Sequence, residues 1–186
     1  MKAKPTKHSG EVVLELNRRD EPLMDAASRG TTASPFQLKK ILVPTDFSDC
    51  AKKALQYAIP LAKQHAAALT LLHVVPSNYA VGEFGGIDYA SLDADMRASG
   101  GKQLAALVVD EVRGEISTDT LIRSGSPAVE IIEVAKSLPA DLIVISTHGR
   151  SGLKHVFLGS IAGQVVRLAP CPVLVVREHE REFIAG

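Results

Sequence analysis

Residues Asp141 to Arg177 read DLIVISTHGRSGLKHVFLGSIAGQVVRLAPCPVLVVR. The apolar run Leu142 to Ile145 has the length of a buried strand and ends in small residues. A loop with Gly149 and Gly152 follows, then Gly159-Ser160 and a stretch with helical spacing. A second apolar run, Val173 to Val176, closes the segment. Strand, glycine loop, helix start and strand is an order that offers backbone N–H groups to a phosphate. His148, Arg150, Lys154 and His155 put positive charge on the same loop. The segment therefore predicts an α/β protein with an anion-binding site of the nucleotide type.

Working outward, the same alternation recurs towards the N-terminus. Ile41 to Pro44 is a short buried strand, and Thr45-Asp46-Phe47-Ser48 carries turn and N-cap chemistry. Ser48 or Asp49 starts a helix to about His65, with Ala54, Leu55, Ala58, Leu61 and Ala62 on one face. Pro60 should kink it. Leu69 to Val75 is a second strand, and Asn78 to Leu92, with Gly82, Gly85 and Gly86, reads as a loop. A helix is expected from about Leu92 to Val112, broken at Ser99-Gly100-Gly101, where each glycine costs about 1 kcal/mol relative to alanine. Thr118 to Arg123 alternates as a strand. Ser126 then caps a helix that has Pro127 at its first position and uses Val129, Ile131, Ile132, Val134 and Ala135. A last helix runs from Ser160, taken as its cap, to about Ala169. Five near-continuous apolar strands alternating with four helices mean an open parallel sheet covered on both faces, a Rossmann-like α/β fold.

Composition narrows the function. The formal net charge is zero and aromatic residues make up 4% with no Trp, so neither an electrostatic nor a stacking surface for nucleic acid is expected. No apolar run reaches the roughly 20 residues of a membrane helix. The basic start MKAKPTKHSG has no apolar core after it, so no secretory leader is expected. Cys50 and Cys171 are too few for a disulfide scaffold and read as reduced thiols in a cytoplasmic protein. Residues 1–36 lack periodicity and are expected to form a flexible extension, with a short strand or helical turn at Val12 to Leu16; 37–179 form the domain, and 180–186 a tail. Neither a Walker-type G-K-S/T nor a G-x-G-x-x-G run is present, and the histidines and cysteines lack zinc-ligand spacing. Ser160 has no legible acid–histidine relay.

From Lys39 to Arg177 the chain resembles the universal stress protein family. The resemblance rests on KKILVPTDFSDCAKKAL, LTLLHVV, SGSPAVEII, DLIVISTHGRSGLKHVFLGS and CPVLVVR. It implies the strand order 3-2-1-4-5. The family's ATP-binding members carry G-x2-G-x9-G-S/T. Gly149, nine residues, Gly159 and Ser160 fit this pattern, whereas Ser146 stands where the first glycine belongs. The resemblance implies ATP, with Mg2+, in contact with Pro44, Thr45, Asp46, Val74, Ile145, Ser146, Gly149, Arg150, Gly152, Gly159, Ser160 and Ile161. It further implies a homodimer paired through the last strand, Pro172 to Arg177, an unidentified signalling partner, and a role as a nucleotide-dependent sensor or regulator in the stress response. Turnover is expected to be absent or limited to slow ATP hydrolysis, with Asp46 and His148 the only candidate bases. The alternative is a nucleotide-free interaction module of the same fold, favoured by Ser146. Gly159→Val is expected to abolish ATP binding and leave the fold intact.

Overall fold

Two hydrophobic clusters, one on each side of a five-stranded parallel sheet, organise the chain from Leu38 onward. The computed structural model describes residues 2–5, 12–15, 37–77, 89–147, 149 and 158–177. The chain divides into two compact units, Met1–Gln37 and Leu38–Gly186. In the first, β1 (Lys2–Pro5) pairs antiparallel with β2 (Val12–Glu15), with Lys2 opposite Glu15 and Pro5 opposite Val12. The second strand falls in the apolar run singled out above; its partner at Lys2–Pro5 has no comparable signal, because Lys and Pro are poor strand formers.

In the second unit the elements are β3 (Lys40–Pro44), α1 (Asp49–His65), β4 (Ala68–Pro76), α2 (Tyr89–Leu107), a π-helical turn (Val108–Val112), β5 (Thr118–Gly125), α3 (Pro127–Ser137), β6 (Leu142–Ser146), α4 (Ser160–Leu168) and β7 (Val173–Val176). The strands form one parallel sheet in the order β5-β4-β3-β6-β7, which is 3-2-1-4-5 within the sheet. Side chains alternate in direction along β3, so Ile41 and Val43 join one cluster with Ala54, Leu55 and Ala58 of α1 and Leu104 of α2. Leu42 joins the other, with Ile131 and Val134 of α3 and Val165 of α4. All three β3 residues are buried, because a central parallel strand has helices on both faces.

Local chemistry accounts for the helix ends. Ser48 is the N-cap of α1, its hydroxyl accepting from the Ala51 N–H at 3.2 Å. The helix stops at Ala66, which turns left-handed at φ 52° and donates to the carbonyls of Ala62 and Lys63. α1 continues through Pro60. At the amino edge of the sheet, one carboxylate oxygen of Asp141 accepts from the N–H groups of Lys39 and Lys40 at 2.7 and 2.9 Å, tying the start of β3 to that of β6.

Four expectations need correcting. α2 begins at Tyr89, so Leu92 belongs to the helix. It also runs unbroken through Ser99-Gly100-Gly101. Tertiary packing overrides propensity there: a Cβ on Gly100 would lie 2.9 Å from Cδ2 of His73, so the glycine lets the helix approach β4. Ser126 is the N-cap of α3 by position, with Pro127 at N1, but its side chain makes no capping bond. Val129 is 51% exposed and faces away from the core that Ile131 and Val134 enter.

Candidate functional site at the carboxyl edge of the sheet

The sheet order reverses beside β3, which has β4 on one side and β6 on the other. At such a switch point the helices diverge and leave a crevice beyond the carboxyl ends of the strands. A cavity of about 350 Å³ lies there. That is within the range of about 300–1,000 Å³ of small-molecule sites. It is lined by the ends of β3, β4 and β6, by the start of α3, and by the start of α4.

The turn after β3 is held at several points. The Thr45 N–H donates to the Leu72 carbonyl of β4 at 2.8 Å, and the Thr45 hydroxyl accepts from the Phe47 N–H at 3.0 Å. Oδ1 of Asp46 accepts from both the N–H and the hydroxyl of Ser48, at 3.1 and 2.6 Å. The same Ser48 hydroxyl caps α1, so the aim of the Asp46 carboxylate and the start of the helix share one side chain. Phe47 has φ 66°, a left-handed conformation that costs a non-glycine residue about 1–2 kcal/mol.

From the other side, β6 ends at Ser146 and the Thr147 N–H continues the ladder to the Val176 carbonyl at 2.8 Å. The Thr147 carbonyl accepts from the Gly159 N–H at 2.9 Å, which fastens the start of α4 to the end of β6. Gly149 lies so close to Oδ2 of Asp46 that a Cβ there would collide with the carboxylate. Glycine at 149 is thus what lets the backbone at that residue lie against Asp46. Gly159 is the N-cap of α4 and makes no side-chain cap, with Ser160 as the first helical residue. The expected capping role of Ser160 is therefore corrected: a residue at the first helical position cannot cap its own helix. The first N–H groups of α4 have no acceptor within the helix, and they carry the positive end of its dipole.

Ten of the twelve expected contact residues line this one cavity: Pro44, Thr45, Asp46, Val74, Ile145, Ser146, Gly149, Gly159, Ser160 and Ile161. Arg150 and Gly152 lie outside the described residues, as do His148, Lys154 and His155. Thr147, at the strand end that flanks the crevice but not among the expected contacts, lines the cavity too, and sequence reasoning passed over Met96 of α2 and the wall formed by Pro127 and Ile131 of α3. These last three reach the cavity only through tertiary packing. His73, within the Leu69 to Val75 strand and not among the expected contacts, also lines it. The Gly159→Val expectation is corrected too. A Cβ at 159 would sit 2.7 Å from the Thr147 carbonyl oxygen, a backbone atom with little room to retreat, so any side chain there disturbs the α4 start itself.

The two displaced titrations lie away from the cavity. A hydrogen bond from Lys63, with its charge, holds the fully exposed Glu115 carboxyl below its ordinary 4.5. Burial and the nearby Asp141 charge push the Cys171 thiol above 9.0. Among the described residues no group of three or more His, Cys, Asp or Glu side chains could hold a metal ion. No helix among them is long and apolar enough to cross a membrane.

Comparison with known proteins gives the same architecture. The sequence profile of the Universal stress protein family matches residues 37–177. Universal stress protein MJ0531 of Methanocaldococcus jannaschii is 36% identical over 146 residues, 77% of this chain and 85% of that protein. The solved universal stress protein UspA from Lactobacillus plantarum is 32% identical at a TM-score of 0.64, covering 76% of this chain and 99% of that one. The universal stress protein from Archaeoglobus fulgidus solved in complex with dAMP shares the fold, at 21% identity and a TM-score of 0.53 over 76% of this chain and 99% of that one. With this sheet order and a profile match over most of its length, the chain belongs to the universal stress protein family.

Proposed function

We propose that this protein binds ATP, with Mg2+, in the cavity at the carboxyl edge of its sheet and acts as a nucleotide-dependent regulator in the cytoplasmic stress response. The observation that carries the reading is the convergence of Gly149 and Gly159 on the ends of β3 and β6, at a cavity lined by both apolar side chains and polar groups. Val74, Ile131 and Ile145 offer flat apolar surface to a base. The Asp46 carboxylate and the Ser146 hydroxyl suit ribose hydroxyls. The uncapped first turn of α4, with the Ser160 hydroxyl, suits phosphate oxygens. Magnesium would be held chiefly by those phosphates and water. The dAMP complex of the Archaeoglobus relative supports an adenine nucleotide as the ligand class.

The proposal includes a homodimer paired through Pro172 to Arg177 and a signalling protein that reads its state. β7 pairs with β6 on one side, and no described strand covers its other edge. Val173, Leu174 and Val175 there are half-buried, and an apolar strand edge of this kind favours pairing. A second reading, a nucleotide-free interaction module, draws on Ser146, which lines the cavity where the family's ATP-binding pattern has glycine. Calorimetric titration with ATP and magnesium, and with ADP and AMP, separates the two. Micromolar binding that weakens from ATP to AMP is expected; no binding at millimolar ATP would leave the interaction module.

A further inference from the structure

β4 grips the turn after β3 at two consecutive atoms. The Leu72 carbonyl accepts from the Thr45 N–H at 2.8 Å. Nδ1 of His73 lies 2.9 Å from the Thr45 carbonyl oxygen. A carbonyl can only accept, so Nδ1 carries the proton and donates. The half-buried imidazole, which borders the cavity, is also held between two neighbours. Its centroid lies 4.4 Å from that of Phe47, with the planes at 39°. Its Cδ2 edge rests on Gly100 of α2, where a Cβ would approach to 2.9 Å. Phe47 is the left-handed residue of the turn, a conformation that persists only where surroundings impose it. Asp46, between the gripped Thr45 and the strained Phe47, presents Oδ2 to Gly149 in the cavity.

We propose that His73 is a positioning residue for the nucleotide site. Its Nδ1–H fixes the Thr45 carbonyl and so aims the Asp46 carboxylate, and Gly100 is the space in α2 that admits the ring. The inference rests on the nucleotide reading above. It goes further by making the helix on the far side of the sheet part of the site's support. A histidine kept only for core packing would be replaceable by any ring of its size. A positioning histidine is replaceable only by a side chain that restores the donor.

The test compares the parent with His73→Phe, which keeps a ring and loses the donor, and His73→Asn, which restores a donor near the place of Nδ1. Two readouts are used: the ATP and AMP dissociation constants, and amide exchange at Phe47 and Ser48 without nucleotide. H73F should weaken ATP and AMP alike by about tenfold, as expected for one lost hydrogen bond at a site of this kind. It should speed exchange at Phe47 and Ser48 while Ile41 to Val43 keep theirs. H73N should return both readouts to within about threefold of the parent. Unchanged binding and exchange in H73F, or equal losses in H73F and H73N, overturns the proposal. If the parent itself does not bind ATP, the nucleotide reading fails separately. The exchange pattern then decides whether His73 holds the turn. Should H73F not fold, Gly100→Ala displaces an intact imidazole and is read by the same two assays.

Discussion

Adjacent glycines in α2 provide a matched pair that isolates one contact. Gly100→Ala and Gly101→Ala both replace glycine within a helix by the best helix former, a gain of about 1 kcal/mol each. At 101 the new methyl would lie 3.4 Å from Cδ1 of Ile122, an ordinary contact with the movable end of a side chain. At 100 it would lie 2.9 Å from Cδ2 of His73. Carbon atoms prefer about 3.5–4.0 Å, and this ring cannot easily retreat, being bonded to Thr45 and packed on Phe47. Overpacking of this kind costs about 1–3 kcal/mol. G101A should therefore stabilise by up to about 1 kcal/mol, raising Tm by about 2–4 °C for a chain of this size. G100A should range from nearly neutral to destabilising by about 2 kcal/mol, with the two variants separated by the steric term of about 1–3 kcal/mol. Urea melts at constant m-value, supported by calorimetry, measure the gap. G100A should also weaken ATP binding, while G101A leaves it unchanged. If G100A stabilises as much as G101A, the ring is free to move and the contact does not constrain the helix.

Three further outcomes are expected. Ser146→Gly restores the family's first motif glycine and removes a Cβ from the cavity, so ATP should bind more tightly by calorimetry; weaker binding would show that the Ser146 hydroxyl contributes a contact. Ser48→Ala loses the α1 cap and the hydroxyl bond to Asp46 but keeps the backbone N–H bond to it, so it should cost about 0.5–2 kcal/mol in urea melts and weaken ATP binding as the hold on the Asp46 carboxylate loosens; an unchanged midpoint would refute the cap. Glu115 has its folded pKa depressed by Lys63, so the pair's stabilisation is present above pH 4.5 and is lost as pH falls through the depressed value. Urea midpoints of the parent and Lys63→Met should differ at neutral pH in low salt and converge in acid or in high salt, since both side chains are exposed; a difference that persists in acid would point to a non-electrostatic role for Lys63.

The sequence by itself determined the elements and their class. Apolar runs of strand length at Ile41, Leu69, Leu142 and Val173, alternating with helical spacing, leave little besides a parallel sheet covered on both faces, and all four appear as strands. Local chemistry also narrowed the α1 cap to Ser48 or Asp49 and marked the Pro127 helix start, because a cap bond spans only a few residues and the proline ring fixes its own φ. The family motif marked Gly149, Gly159 and Ser160 for one site, the wider resemblance added Asp46, and all four line one cavity.

Tertiary structure alone decided what depends on residues distant in the chain. The Ser99-Gly100-Gly101 run reads as a break because propensity is a local quantity. It is continuous helix because its missing side chains make room for His73, some 27 residues earlier, on another element. Gly159 reads as room for a phosphate, yet its first duty is contact with the Thr147 carbonyl, set by how α4 docks on β6. Met96, Pro127 and Ile131 meet in the cavity wall only because the N-terminal halves of α2 and α3, on opposite faces of the sheet, both reach the same strand ends. Periodicity assigns a residue to a face of its own element. Which atoms that face meets is set by register and crossover between elements, and no spacing along the chain encodes that meeting.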